Sequence, residues 1–101
     1  MLISTDFDAL RIFADPLRSQ IVELLAREQL CTTHLVEETG ARQPTVSHHL
    51  RILREAGLVE TEPCGRYNYY RLVPDAVEAM ADRLRELAEG ARAAEQTQRP
   101  C

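Results

Sequence analysis

Leu17, Ile21, Leu24 and Leu25 recur at helical spacing and predict a helix from Pro16 to about Glu28. Asp15 suits its N-cap, and Pro16 fits the first helical position, where a missing N–H costs nothing. Ahead of it, Phe7, Leu10 and Phe13 share one helical face and predict a short first helix. Leu35 and Val36 mark a short third helix, from a cap at Thr32 or Thr33 to about Thr39, stopped by Gly40. In "QPTVSHHLRILREAG", Pro44 belongs to a first turn, Val46, Leu50 and Leu53 face a core, and Gly57 ends the helix. Helix, glycine-containing turn, helix is the helix-turn-helix arrangement.

The period then changes. In "LVETEPCGRYNYYRLV", Val59 and Thr61 alternate with glutamates, Pro-Cys-Gly reads as a turn, and Tyr67, Tyr69 and Tyr70 favour strand. A two-stranded hairpin is expected, Leu58–Glu62 with Arg66–Val73, carrying Arg66 at its tip. A last helix opens near Pro74-Asp75 with a continuous apolar stripe of Val77, Met80, Ala81, Leu84, Leu87, Ala88 and Ala91. So long a stripe in so small a domain calls for a partner, expected to be a symmetry mate together with the first helix. From about Ala93 the chain turns polar. The fold expected is mostly α with a β-hairpin wing. It is a dimeric winged helix-turn-helix in residues 1–92, followed by a flexible tail, 93–101.

Length and composition narrow the function. A chain of 101 residues is one domain with a modest core. No window approaches the ~20 apolar residues of a membrane span, and the start lacks a secretory pattern, so a cytoplasmic protein is expected. Neither a Gly-rich phosphate loop, nor a metalloprotease motif, nor a credible acid–base pair is found, so an enzyme is not. The net charge of −4 argues against nucleic acid until its distribution is considered. Residues 41–71 hold five arginines (42, 51, 54, 66, 71) against three glutamates (55, 60, 62), a balance of +2 that leaves −6 elsewhere. A locally basic face can still hold phosphate.

The run "ADPLRSQIVELL…GARQPTVSHHLRILREAGLV…GRYNYYRL" resembles the ArsR/SmtB family of bacterial metalloregulatory repressors, over roughly residues 5 to 90. The resemblance implies a homodimeric repressor on double-stranded DNA, with an operator that is an imperfect palindrome. A recognition helix presents the exposed polar residues of its N-terminal half to the major groove, here Gln43, Thr45, Ser47 and His48. Arg51, one turn on, suits backbone phosphate, and Arg66 an adjacent minor groove or phosphate. His49 falls beside Val46, Leu50 and Leu53, which favours a partly buried structural histidine.

The same resemblance implies an inducer and no permanent cofactor. A common arsenic site of the family resembles "ELCVCDL" at the start of the third helix. Here "QLCTTHL" matches its first cysteine with Cys31 and has Thr33 at the second. A zinc or nickel site on the last helix would need histidines, and residues 75–91 contain none. A site inside the recognition helix would need cysteines, absent between Gln43 and Ala56. What remains is Cys31, Cys64 and Cys101, without C-x-x-C spacing and in the reducing compartment that a cytoplasmic protein implies, so a disulfide framework is not expected. Soft thiolates select thiophilic ions. Arsenite or a related trivalent arsenical at Cys31 and Cys101 is the expected inducer, with Cys64 a weaker candidate at the wing turn, far from both. The positive end of a helix dipole favours the thiolate at Cys31. Bland alternatives stand beside this: Cys31 an inert small residue, Cys64 a turn residue, Cys101 incidental. His34 is either a nitrogen ligand or a surface histidine. A redox sensor, a cadmium, lead or zinc sensor, and a winged helix used for protein contacts also remain open.

Overall fold

A computed structural model describes residues 6–101. Helix α1 spans Asp6–Phe13 and α2 Pro16–Leu25, followed by a two-residue strand β1, Leu30–Cys31. Helices α3, Thr32–Thr39, and α4, Gln43–Glu55, form the helix-turn-helix. Strands β2, Val59–Cys64, and β3, Tyr67–Leu72, make the wing, and α5 runs over Pro74–Ala94. The expected mostly α winged helix-turn-helix with a β-hairpin wing is thus the observed fold of the chain. On α1, Leu10 and Phe13 are half-buried, whereas the side chain of Phe7 lies outside the described residues.

Asp15 caps α2 as expected, its Oδ1 accepting the backbone N–H groups of Leu17 at 2.9 Å and Arg18 at 3.1 Å. The helix stops three residues short of Glu28. Leu25 is its last buried residue, and the chain turns over 26–28 to bring Leu30 into the sheet. Pairing there overrides the helix propensity of Ala26, Arg27 and Glu28. The turn between α3 and α4 is tied by Thr39, whose Oγ1 donates to the carbonyl of Leu35 (2.7 Å) and accepts from Ala41 N–H (3.2 Å). Gly40 adopts φ 74°, a left-handed conformation that a Cβ would strain.

The sheet is antiparallel in the order β1-β3-β2. Leu30 pairs with Tyr70 and Cys31 with Tyr69, while on the other edge Glu62 pairs with Tyr69 and Cys64 with Tyr67. The wing is longer than expected: Pro63 and Cys64 are strand, and the turn is Gly65-Arg66 alone. Proline is admissible because β2 is an edge strand. Gly65, at φ 63°, takes the first position of a two-residue hairpin turn and leaves Arg66 at the tip.

Ile21, Leu35, Val46, Leu50, Leu53, Leu58 and Val59 form the fully buried centre, so the core side of α4 is the one its spacing predicts. On α5 only Met80 is buried, and Leu84 and Leu87 remain 51% and 45% exposed. The helix packs on α1 and then projects from the body, giving extents of 61 × 25 × 23 Å. Among the described residues, nothing covers its stripe beyond Met80. Helical structure continues through Ala94, past the boundary drawn at residue 92, before residues 97–101 lose regular structure. No helix among the described residues is long and apolar enough to cross a membrane.

Candidate DNA-binding face and thiol site

Burying Val46, Leu50 and Leu53 turns the opposite face of α4 outward, and Gln43, Thr45, Ser47, His48 and Arg51 all lie exposed on it. Gln43 and Pro44 form the helix's first turn after an Arg42 N-cap. Arg51 donates toward His48 Nδ1 at 3.1 Å, so these two form a small polar pair one turn apart. Arg42 and Arg54 are exposed at the two ends of the same helix. Sequence position alone does not show that these two arginines flank this face; the fold does. His49 is half-buried, in line with the structural role expected, and its Nδ1 meets Arg18 of α2.

The wing separates its two arginines. Arg71 contacts Glu60, its cross-strand partner, and approaches Glu62 at 4.0 Å, so its charge is internally balanced. Arg66 is exposed at the tip, beside Tyr67, which is itself 55% exposed. The +2 balance of this region therefore sits on α4 and its N-cap, where Arg42, Arg51 and Arg54 outnumber Glu55, and Arg66 is the wing's one exposed arginine outside the Arg71 contacts.

Cys31 stands at the mouth of α3, as expected, but its side chain is buried. It is 6% exposed, closes β1 and serves as N-cap of α3, a position expected for Thr32 or Thr33. His34 belongs to the cap as well: its Nδ1 accepts the backbone N–H of Cys31 at 3.1 Å, and its ring stands edge-on to Tyr69 with centroids 5.8 Å apart. It is half-buried, neither the free surface histidine nor an uncommitted ligand. A cap by Cys-x-x-His carries no familiar sequence signal, because serine, threonine, aspartate and asparagine dominate caps.

Two clefts open beside Cys31. One of about 200 Å³ is lined by Cys31, Thr33, His34, Tyr67 and Tyr69. The other, about 250 Å³, joins Cys31 to Gln43 of α4 and to Arg66, Tyr67, Asn68 and Tyr70 of the wing. Cys64 is nearer to this region than expected. Cross-strand partners share a face, so Cys31, Tyr69, Tyr67 and Cys64 all lie on the same side of the sheet. Two strand spacings and two residues along place the two cysteine backbones roughly 12 Å apart. Cys64 and Cys101 are both exposed, the latter at the end of the tail. Among the described residues no three His, Cys, Asp or Glu side chains converge, so one chain does not assemble the three sulfurs.

A family model described as "Bacterial regulatory protein, arsR family" matches residues 15–61, from the α2 cap into the wing. An uncharacterized HTH-type transcriptional regulator of Methanocaldococcus jannaschii is 38% identical over 78 residues, covering 76% of this chain and 88% of that protein. The HTH-type transcriptional repressor SmtB of Mycobacterium tuberculosis is 45% identical, covering 64% of this chain and 48% of the repressor. The arsenic resistance transcriptional regulator ArsR1 of Pseudomonas putida is 40% identical, covering 69% and 58%. The chain thus spans about half the length of these last two relatives. Among solved structures, a possible transcriptional regulator for arsenical resistance superimposes with a TM-score of 0.73 at 30% identity, covering 89% of this chain and 96% of that one. A homodimeric winged helix-turn-helix DNA-binding domain from Mycobacterium bovis gives 0.65 at 30% identity, covering 78% and 73%.

Proposed function

The chain belongs to the arsR family of bacterial regulatory proteins, and from that premise we propose that this transcriptional repressor is a homodimer released from its operator by a trivalent arsenical at Cys31. It is a DNA-binding regulator and not an enzyme. The single observation that carries the finer reading is the shared cleft: Cys31, Gln43 of the recognition helix and Arg66 of the wing line one cavity. A group attached to that sulfur would occupy space between the two DNA-reading elements.

In this reading the N-terminal half of α4 enters the major groove. Gln43 hydrogen-bonds a base edge, Thr45, Ser47 and His48 serve bases or phosphates, and Arg51 and Arg66 hold phosphate. The half-exposed Leu84 and Leu87 on α5 supply the dimer seam, supported by a homodimeric structural neighbour. Two-fold symmetry then implies an imperfect palindrome. Arsenic is favoured over zinc by the soft thiol at Cys31 and the lack of histidine on α5, and by relatives named for arsenic and arsenical resistance. Further sulfur comes from Cys101 of a second protomer's tail, or less readily from Cys64. Cys31 is buried but lines the shared cleft, so an inducer on its sulfur presses between α4 and the wing and displaces one against the other.

A nuclease footprint tests this. Protection of an imperfect palindrome by two protomers, erased by arsenite, is the expected result. Erasure by peroxide without arsenite favours the redox reading, release by cadmium or zinc alone favours another metal, and failure to protect any duplex rejects the repressor reading.

A further inference from the structure

We infer that Arg18 is a positioning residue for DNA reading: its guanidinium brackets the last turn of α1 to the inner flank of the recognition helix α4. Its Nε donates to the carbonyl of Ile12 at 2.8 Å, and Nη1 lies 3.1 Å from His49 Nδ1, 31 residues away in sequence. Carbonyls at a helix C-terminus lack an intrahelical donor, and a planar fork of donors can satisfy one while reaching a second partner. The root of the bracket is itself fixed, because Asp15 accepts the backbone N–H of Arg18 and of Leu17. Lysine offers a point charge in place of a fork and does not span both acceptors in the same way.

His49 follows directly on Ser47 and His48, which face outward on α4. Holding it sets the roll of the helix and hence where the outward side chains point. The other end of the bracket is α1, which packs on α5, the helix bearing the exposed Leu84 and Leu87. Arg18 therefore joins the helical layer of the proposed dimer seam to the surface that reads DNA. This rests on α4 being the reading helix.

The bracket also responds to protons. Arginine has no acceptor, so His49 Nδ1 must accept, which requires the neutral ring. Asp15, the N-cap of α2, Arg18 on α2 and His48 on its own helix are the charged and titratable groups around it. Burial, then Arg18 and His48, hold the His49 titration below the ordinary histidine range, against the opposing pull of Asp15. Acidification places a cation against the guanidinium and opens the bracket.

The test uses the full chain and a duplex selected from a random pool, with binding followed by anisotropy from about pH 8 to about pH 5.5. Arg18→Met is expected to bind roughly tenfold more weakly near neutrality, as the loss of one charge-assisted hydrogen bond implies. Arg18→Lys should recover little of this. His49→Asn, whose Oδ1 replaces Nδ1 without titrating, should bind like the parent near neutrality and lose less affinity on acidification. The ring proton shifts of His49, read by NMR without DNA, should titrate higher in Arg18→Met than in the parent. If Arg18→Met does not fold, His49→Asn and its pH profile decide the matter. A parent chain that binds no duplex overturns both readings. A parent that binds, with Gln43→Ala weakened but Arg18→Met unchanged or the His49→Asn profile like the parent's, overturns the bracket alone.

Discussion

Replacing Arg66 with alanine should flatten the salt dependence of operator binding while leaving the fold intact. Arg66 is exposed, occupies the second position of a two-residue turn and buries nothing. Each cation neutralising a phosphate contributes about 0.9 to the slope of log affinity against log salt, so the two wings of a dimer contribute about 1.8. Between about 0.1 and 0.3 M salt, parent and variant should therefore converge by roughly sevenfold in relative affinity. Arg71→Ala is the matched control, because that guanidinium is already engaged by Glu60 and Glu62. Its loss should leave the slope alone and cost the hairpin at most ~1 kcal/mol, as for other exposed pairs. Anisotropy titrations of a labelled operator at four or five salt concentrations give the slopes. An Arg66→Ala slope equal to the parent's would refute the wing contact, and an equal loss in Arg71→Ala would refute the division of labour between the two arginines.

The two usual cysteine replacements should behave differently at Cys31. Alanine leaves a small void in a site 6% exposed, whereas serine buries a hydroxyl, at a cost of ~1–3 kcal/mol, so urea midpoints should rank parent, then Ala, then Ser. Glutamate at both Leu84 and Leu87 removes about half of a leucine's ~2 kcal/mol of burial at each of four side chains, on the order of 4 kcal/mol. Sedimentation should show a dimer constant weakened by about a thousandfold, with the monomer still folded. Stability should fall on acidification. The folded state holds His49 below its unfolded pKa, so its contribution is complete above that value and is lost as pH falls through the folded one. Melting temperatures of His49→Asn should show a smaller loss than the parent between about pH 7 and pH 5.

Much of the fold was legible because local signals and tertiary contacts agree. Val46, Leu50 and Leu53 are spaced for one face and are all buried, and the exposed set on α4 follows from them. Asp15 and Pro16 announce a helix start and provide it. Strand β1 was not legible, because two residues have no periodicity and Leu30–Cys31 is strand only through its pairing with Tyr69 and Tyr70. Pro63 reads as a turn residue until the strand order places it on an edge. The thiol site shows the same division. The position of Cys31 before a helix could be read from sequence, but its burial and its nearness to Gln43 and Arg66 depend on the sheet that bridges them. The Arg18–His49 contact spans 31 residues, and the motif containing Arg18 signals only a helix start.

One titration bears on the central claim more directly than any other. A fluorescent operator complex of the parent chain is titrated with arsenite beside Cys31→Ala, which keeps the fold and the DNA-reading residues while deleting one sulfur. The account predicts that anisotropy falls to the free-duplex value for the parent and stays at the bound value for Cys31→Ala. Equal release of both complexes would contradict it.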